Sequence, residues 1–440
     1  MKPKKKTGNV DNVPVAHKKA ARREAALSAV FAGAGLLAQG SFVRGALYAL
    51  IEIGAILLFI FWGRGAFAGI ITLGETPMKD HSLILLVYGI LAFIIFGAFI
   101  IFWISQIIET YRDGIKYRSG KYVKEKGKAA FDTWMHEHTH VMFMAPGIIA
   151  IACVILIPLA FSICIGFTDY DAGHQPPAHV LNWVGLKNFK DLLFLGQYAH
   201  TFFSILGWTA AWAVLSTFLP YALGILVGVL LNNEHLKGRK IFKFIYILPW
   251  AIPGYITLLV LQTMFDTGYG MINQIICLLG GENIRWLTST GPARCALVLV
   301  SIWTGFSYPM MLSESIIKNI NKEIYEAAIL DGASKVRTFF SITLPILLYS
   351  ISPILIMSLA GAFNNFNTIY LVTGGGPLNL DYQSAGSTDI LITWLFKLTI
   401  TNNKYNYGAA ISIILFILIA TFSIINLRKT RTFSEEGMMS

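Results

Sequence analysis

The chain has 440 residues, of which 55% are hydrophobic and only 13% charged, and its mean hydropathy is +0.60. A soluble domain is nearer roughly 45–50% apolar and 25% charged, so the composition excludes a water-soluble enzyme or binding module and points to a membrane protein. The net charge of +11 needs no nucleic-acid partner, because basic segments beside apolar spans are expected against anionic membrane lipid.

Residues 1–44 are a basic segment. Its stretch "HKKAARREAALSAVFAGAGLLAQGSFVRG" suits either an amphipathic helix lying on the inner leaflet or a solvated basic tail. The first apolar run begins too far along for a signal peptide, so the first span is expected in the mature protein. A helix needs about 20 mainly apolar residues to cross a hydrocarbon core of roughly 30 Å. Eight stretches qualify, near 45–63, 83–108, 142–167, 202–231, 241–265, 295–316, 346–372 and 406–427. They lack period-2 alternation, which favours a helical bundle over a barrel. The expected fold is an all-α integral membrane protein with eight transmembrane helices.

Lys and Arg accumulate on the cytoplasmic side of a membrane. With the N-terminus inside, 27 of the 35 fall on that side, so both termini are expected to be cytoplasmic. The expected organisation is a basic cytoplasmic segment over 1–44, two helices and a basic loop over 45–140, a six-helix core over 141–430, and a cytoplasmic tail over 431–440.

Pro249 and Pro253 are expected to kink the fifth span. Glu52 reads as the only acid well inside an apolar run, where a functional role is the default; with no basic partner in view, a protonated or interior-hydrogen-bonded structural Glu fits better. The four cysteines show neither CxxC nor metal-ligand spacing, so no disulfide framework is expected. The best metal spacing is "HEHTH" at 136–140, at the cytoplasmic edge of the third span, where a solvated turn fits better. No G-x-x-x-x-G-K-[S/T] occurs, so the chain does not cradle nucleotide phosphates by a P-loop. Uphill transport then needs a separate ATPase or an ion gradient.

Residues 326–345 read "EAAILDGASKVRTFFSITLP", in a loop over 318–345 that the charge bias places in the cytoplasm. Ala327, Ala328 and Leu330 suit a short helix, and Gly332, between Asp331 and Ala333, can take the left-handed conformation that ends one. Ser334 is a plausible N-cap for a second short helix, and Pro345 suits the first turn of the next span. Two short helices with a bend are expected. The pattern of Glu326-Ala327-Ala328, Gly332, and an I-x-LP ending at Leu344 and Pro345 resembles the "EAA" loop of permease subunits of binding-protein-dependent ABC importers. The resemblance implies a coupling helix docked on a cytoplasmic ATPase, with Glu326 making polar contacts and Gly332 providing the bend.

The likeness extends to "WVGLKNFKDLL" at 183–193 and "NNFNTIYLVTGGGP" at 364–377, which look like the larger permease of maltose and maltodextrin importers. The segment between spans three and four is short, as in the compact Gram-positive form. By that resemblance Gly305, Tyr308, Ser358 and Asn365 match sugar-contacting positions; Gly361 and Ala362 are smaller than the aromatic and amide expected there. Implied partners are a second permease subunit in a heterodimer, a dimeric ATPase that uses ATP and Mg, and an extracellular sugar-binding protein. The chain itself is expected to bind no cofactor, to catalyse no reaction, and to reside in the bacterial cytoplasmic membrane. Two rivals weigh against this. An ion-coupled secondary sugar transporter predicts an inverted repeat and paired intramembrane acids, and a membrane glycosyltransferase predicts clustered acids or His on one face.

Overall fold

The computed structural model describes residues 15–118, 135, 139–233 and 236–429. His136, Glu137 and His138, where a solvated turn is favoured over a metal site, lie outside the described residues, as does the tail over 431–440. Among the described residues the secondary structure is helical, with one isolated antiparallel bridge, Leu378 to Gly386. The chain divides into two compact units, Met1–Cys164 with Gly173–Trp183, and Ile165–Ala172 with Val184–Ser440. Residues 141–164 therefore group with the first unit, one helix beyond the boundary expected near 140.

The first unit holds α1 (Val15–Val30), α2 (Ala34–Ala38), α3 (Phe42–Thr72), α4 (Ser82–Arg118) and nearly all of α5 (Val141–Ile165). Helix α3 is continuous through a π turn at Phe59–Gly63. From Val15 on, the basic segment is helical and packed rather than a free tail. Ala21, Glu24, Ala25 and Ser28 of α1 are buried, and the contacts run to α4: Gln106 Nε2 donates to the Ser28 carbonyl at 2.7 Å and Arg118 Nη1 to Glu24 at 2.9 Å. From α3, Arg44 Nη1 reaches Asp113 at 3.0 Å and Tyr48 donates to Glu109 at 2.8 Å. Lys19, Arg22 and Arg23 stay exposed on the far side of α1. Glu52 is buried and its carboxylate accepts the Ala32 backbone N–H. A buried acid thus satisfies a backbone donor at the turn between α1 and α2, as the structural reading of Glu52 expects.

The second unit holds α6 (Lys187–Phe194), α7 (Gly196–Leu231), α8 (Arg239–Ala251), α9 (Gly254–Met264), α10 (Met271–Leu278), α11 (Thr290–Gly305), α12 (Ser307–Asn319), α13 (Lys322–Leu330), α14 (Lys335–Ala362), α15 (Phe366–Thr373), α16 (Leu391–Thr401) and α17 (Tyr405–Lys429). Helix α7 is its axis. Its Phe202 and Ile205 pack with Trp394 and Ile411, its Trp208 and Trp212 with Leu297 and Ile369, and its Tyr221 and Ile225 with Leu347 and Ile351. Small residues let helix backbones approach closely in lipid, where packing rather than water drives association. A Cβ on Gly224 would lie 2.6 Å from the Phe306 carbonyl, and one on Gly228 2.9 Å from the Met310 carbonyl. The Gly224-x-x-x-Gly228 face is therefore the seat of α12.

Six helices are long and apolar enough to cross a membrane, or eight if each of two bent pairs is one span, among the described residues. The pair α8/α9 bends by 96° and α11/α12 by 41°. At the first break Ile252 is extended, as the residue before a proline must be, and Pro253 caps α9, so the expected kink in the fifth span is present. At the second, Pro309 lies in the first turn of α12 and offers no N–H to the turn before it.

One expected span is corrected. The stretch 346–372 is not a single helix: α14 ends at Ala362 and α15 starts anew at Phe366, with the Asn365 side chain accepting the Thr368 N–H at 3.3 Å as its N-cap. Asn and Asp compete with the helix backbone and favour such caps, so two adjacent asparagines interrupt an otherwise apolar run. Beyond α15, the segment 374–390 is fixed around Asp389, which is fully buried, accepts the Gly386 N–H at 2.7 Å and pairs with Lys397 at 2.6 Å. Burial pushes the Asp389 carboxyl above its ordinary value while Lys397 pulls it back.

Candidate functional site

Two places collect the residues that the sequence singles out. The first is the loop around α13. Asn321 caps this helix by accepting the Glu323 N–H at 3.1 Å. Gly332 ends it at φ +75°, with Ala333 N donating to the Ala328 carbonyl at 2.9 Å and Gly332 N to Ile329 at 3.0 Å. That nested pair is the left-handed helix stop of which glycine is the usual member. Glu326, Ala327 and Asp331 are exposed, and so are Ile329 and Leu330, at 70% and 88%. Ala328 is buried. Polar and apolar groups thus share one projecting tip, and contiguous exposed apolar surface marks an interaction site.

Ser334 caps the following turn by accepting the Arg337 N–H at 3.3 Å. The expected second short helix is not separate. Lys335 opens α14, which runs on to Ala362 through a π turn at Phe339–Thr343. Pro345 is the second residue after that turn and brings no N–H to the helix. Tyr325 OH lies 3.1 Å from Thr343 Oγ1 and ties α13 to α14.

The second place is a cavity of about 450 Å³ within the second unit, inside the usual size range of small-molecule sites. Gly305, Tyr308, Ser358 and Asn365 all line it, together with Gly361 and Ala362. Gly305 and Tyr308 flank the break between α11 and α12, while Ser358 lies in the last turns of α14. A Cβ on Gly361 would meet nothing within 4 Å, whereas one on Gly305 would press on Pro220 at 3.1 Å. Pro309 of α12 and the α7 residues Ser216, Thr217, Pro220 and Tyr221 complete the wall. Tyr221 OH is 2.8 Å from Ser358 Oγ, and the buried Ser216 hydroxyl has no partner among the described residues.

The α7 wall was absent from the sequence reading. Its only signal is spacing: positions i, i+1, i+4 and i+5 put two hydroxyls, a proline and a tyrosine on one face of a 36-residue apolar helix. Glu314, 2% exposed in α12, is a second acid within an apolar stretch and was likewise not singled out. Hydroxyls, an amide, an aromatic ring and a small-residue wall suit a neutral polyhydroxylated solute. Among the described residues no group of three His, Cys, Asp or Glu stands ready for a metal.

The family described as the binding-protein-dependent transport system inner membrane component matches residues 221–429. The maltodextrin transport system permease protein MdxF of Bacillus subtilis (strain 168) is 34% identical over 427 residues, covering 95% of this chain and 98% of MdxF. The chain belongs to this family of permeases. The permease is also 31% identical over 417 residues to the galactooligosaccharides transport system permease protein GanP of the same organism, covering 94% of this chain and 99% of GanP. In fold it is similar to a bacterial ABC transporter involved in the import of the acidic polysaccharide alginate, with a TM-score of 0.57, 22% identity, and 68% of this chain and 98% of that chain covered. It is accordingly an all-helical, multi-pass permease of a bacterial ABC importer in the cytoplasmic membrane, a transport component rather than an enzyme. Nothing in these likenesses favours an ion-coupled transporter.

Proposed function

We propose that this permease passes a maltodextrin-like oligosaccharide from an extracellular binding protein to the cytoplasm. It does so as one half of a heterodimeric pore with a second permease, driven by a dimeric ATPase that uses ATP and Mg. The observation that carries the reading is the cavity: Gly305, Tyr308, Ser358 and Asn365 come from segments far apart in sequence and line one space. Hydroxyl and amide groups exchange hydrogen bonds with sugar hydroxyls, and the Tyr308 ring offers a face to a pyranose. The likeness to MdxF over nearly the whole chain supports maltodextrin, while the likeness to GanP supports a galactooligosaccharide as the second reading.

In this reading α13 is the coupling helix, held in a groove of the ATPase by Ile329 and Leu330 with Glu326 and Asp331 at the rim. Both termini are cytoplasmic, because that orientation puts 27 of the 35 Lys and Arg inside. The segment 1–44 and the helices to residue 140 form an N-terminal accessory region, and 141–430 carries transport.

The test is purification of the tagged permease in mild detergent, followed by ATPase assay with binding protein loaded by maltotriose or by a galactooligosaccharide. A second permease and an ATPase should co-purify, and the maltotriose-loaded protein should stimulate hydrolysis. Stimulation by the galactooligosaccharide alone would replace the sugar but keep the importer. A chain that purifies alone and supports proton-dependent sugar uptake would overturn the reading.

A further inference from the structure

Glu314 is an acid in the middle of α12, flanked in sequence by Met310, Met311, Ile316 and Ile317, and its side chain is 3% exposed. A carboxylate so placed is unfavourable unless it is paired and hydrogen-bonded. Lys243 Nζ of α8 lies at 2.7 Å, Lys318 Nζ of α12 itself at 2.6 Å, and Arg239 Nη2 at the start of α8 at 4.0 Å. One acid therefore clamps two helices through cations on both.

Its position gives the clamp a direction. Helix α12 ends at Asn319 and α13 begins at Lys322, so only Ile320 and Asn321 separate them. Ile320 is buried and Asn321 is engaged as the cap of α13, which leaves little slack in the link. On its other side α12 is seated on Gly224 and Gly228 of α7. Helix α8, the third body at this junction, is the first half of the span broken by 96°. Displacement is carried between distant sites by rigid elements joined through polar networks.

We propose that Glu314 is a positioning residue for energy coupling. It locks α8 to the stem of α13, so that movement of α13 is delivered to the broken span α8/α9 as well as to α12. This rests on the reading of α13 as the coupling helix, and α8 reaches α13 by no covalent route shorter than the whole of α9 to α12. The ion cluster supplies a short polar route, alongside the Ser307 Oγ bond to the Tyr246 carbonyl at 2.6 Å and the packing of Phe306 and Met310 with Tyr246 and Ile247.

The experiment uses the full permease with its partner permease, ATPase and binding protein in proteoliposomes, and measures maltotriose uptake and ATP hydrolysis in parallel. Glu314→Gln keeps the shape and removes the charge. Its binding-protein-stimulated ATPase should persist, while sugar moved per ATP falls by about 2- to 30-fold, the span of coupling changes of this kind. Exchanging the charges, with Lys243→Glu and Glu314→Lys together, should restore the ratio toward that of the parent. A parental ratio in Glu314→Gln overturns the proposal. So does a parallel loss of uptake and ATPase with less assembled complex, which would mean that the cluster only holds the fold. Glu326→Lys is run alongside: if it leaves ATP-driven uptake intact, the coupling-helix reading falls and the relay with it. Uncoupling by Glu326→Lys together with a parental ratio in Glu314→Gln removes the relay alone.

Discussion

The Tyr221 and Ser358 hydroxyls meet at 2.8 Å on the cavity wall, and in the proposed function a bound sugar would hydrogen-bond to either of them. Net hydrogen-bond contributions of about 0.5–1.5 kcal/mol correspond to roughly 2- to 12-fold in affinity. Tyr221→Phe should therefore raise the KM for maltotriose uptake by that factor while basal ATPase stays unchanged; an unchanged KM would place the sugar against another wall. That Gly305, Tyr308, Ser358 and Asn365 share one cavity was foreshadowed only by the resemblance to sugar permeases aligned on Glu326 and Gly332. Ser216, Thr217 and Tyr221 were not. A hydroxyl in an apolar helix commonly bonds the carbonyl one turn back, as Thr209 does to Ile205 at 2.7 Å, so its presence alone says nothing of a cavity.

At the scale of the element, α13 depends on its stop. Proline fixes φ near −65° and has no N–H, whereas Gly332 has φ +75° and donates to Ile329 at 3.0 Å. Gly332→Pro should cost about 3 kcal/mol locally, leave membrane insertion intact and abolish ATP-driven sugar uptake. Full transport by that variant would contradict the coupling-helix reading. The first helix, its glycine stop and the Ser334 cap could be read from residue types whose chemistry is local. The fusion of the second helix into α14 could not, because a π turn at Phe339–Thr343 adds a residue to one helical turn without changing the apolar character of the run. The same limit hid the end of α14: Asn364 and Asn365 read as polar positions within a span until the Asn365 side chain is seen capping α15.

For the whole molecule, charge bias sets an orientation that labelling can check. With the exposed native cysteines Cys153, Cys277 and Cys295 replaced by serine, a cysteine at Tyr269 should react with an impermeant maleimide from outside the cell. One at Ala333 should react only in inverted vesicles; the reverse pattern would invert the topology. Candidate spans were legible because hydrocarbon thickness dictates length, although among the described residues the eight expected resolve into six unbroken helices and two bent pairs. The docking of α1 on α4 was not, since it depends on pairs such as Arg118 with Glu24, 94 residues apart, and single-chain periodicity carries no record of such partners.

The Tyr221 to Ser358 bond also has a place in time. The two residues are separated by 137 positions, and at synthesis rates of about 5–20 residues per second that interval is roughly 7–27 s. Throughout it α7 is already a hydrophobic segment bearing Ser216, Thr217 and Tyr221, with the helix that will face them still unmade. Over that interval the Tyr221 hydroxyl lacks the partner that Ser358 later supplies, so this wall of the cavity is completed only after α14 is made.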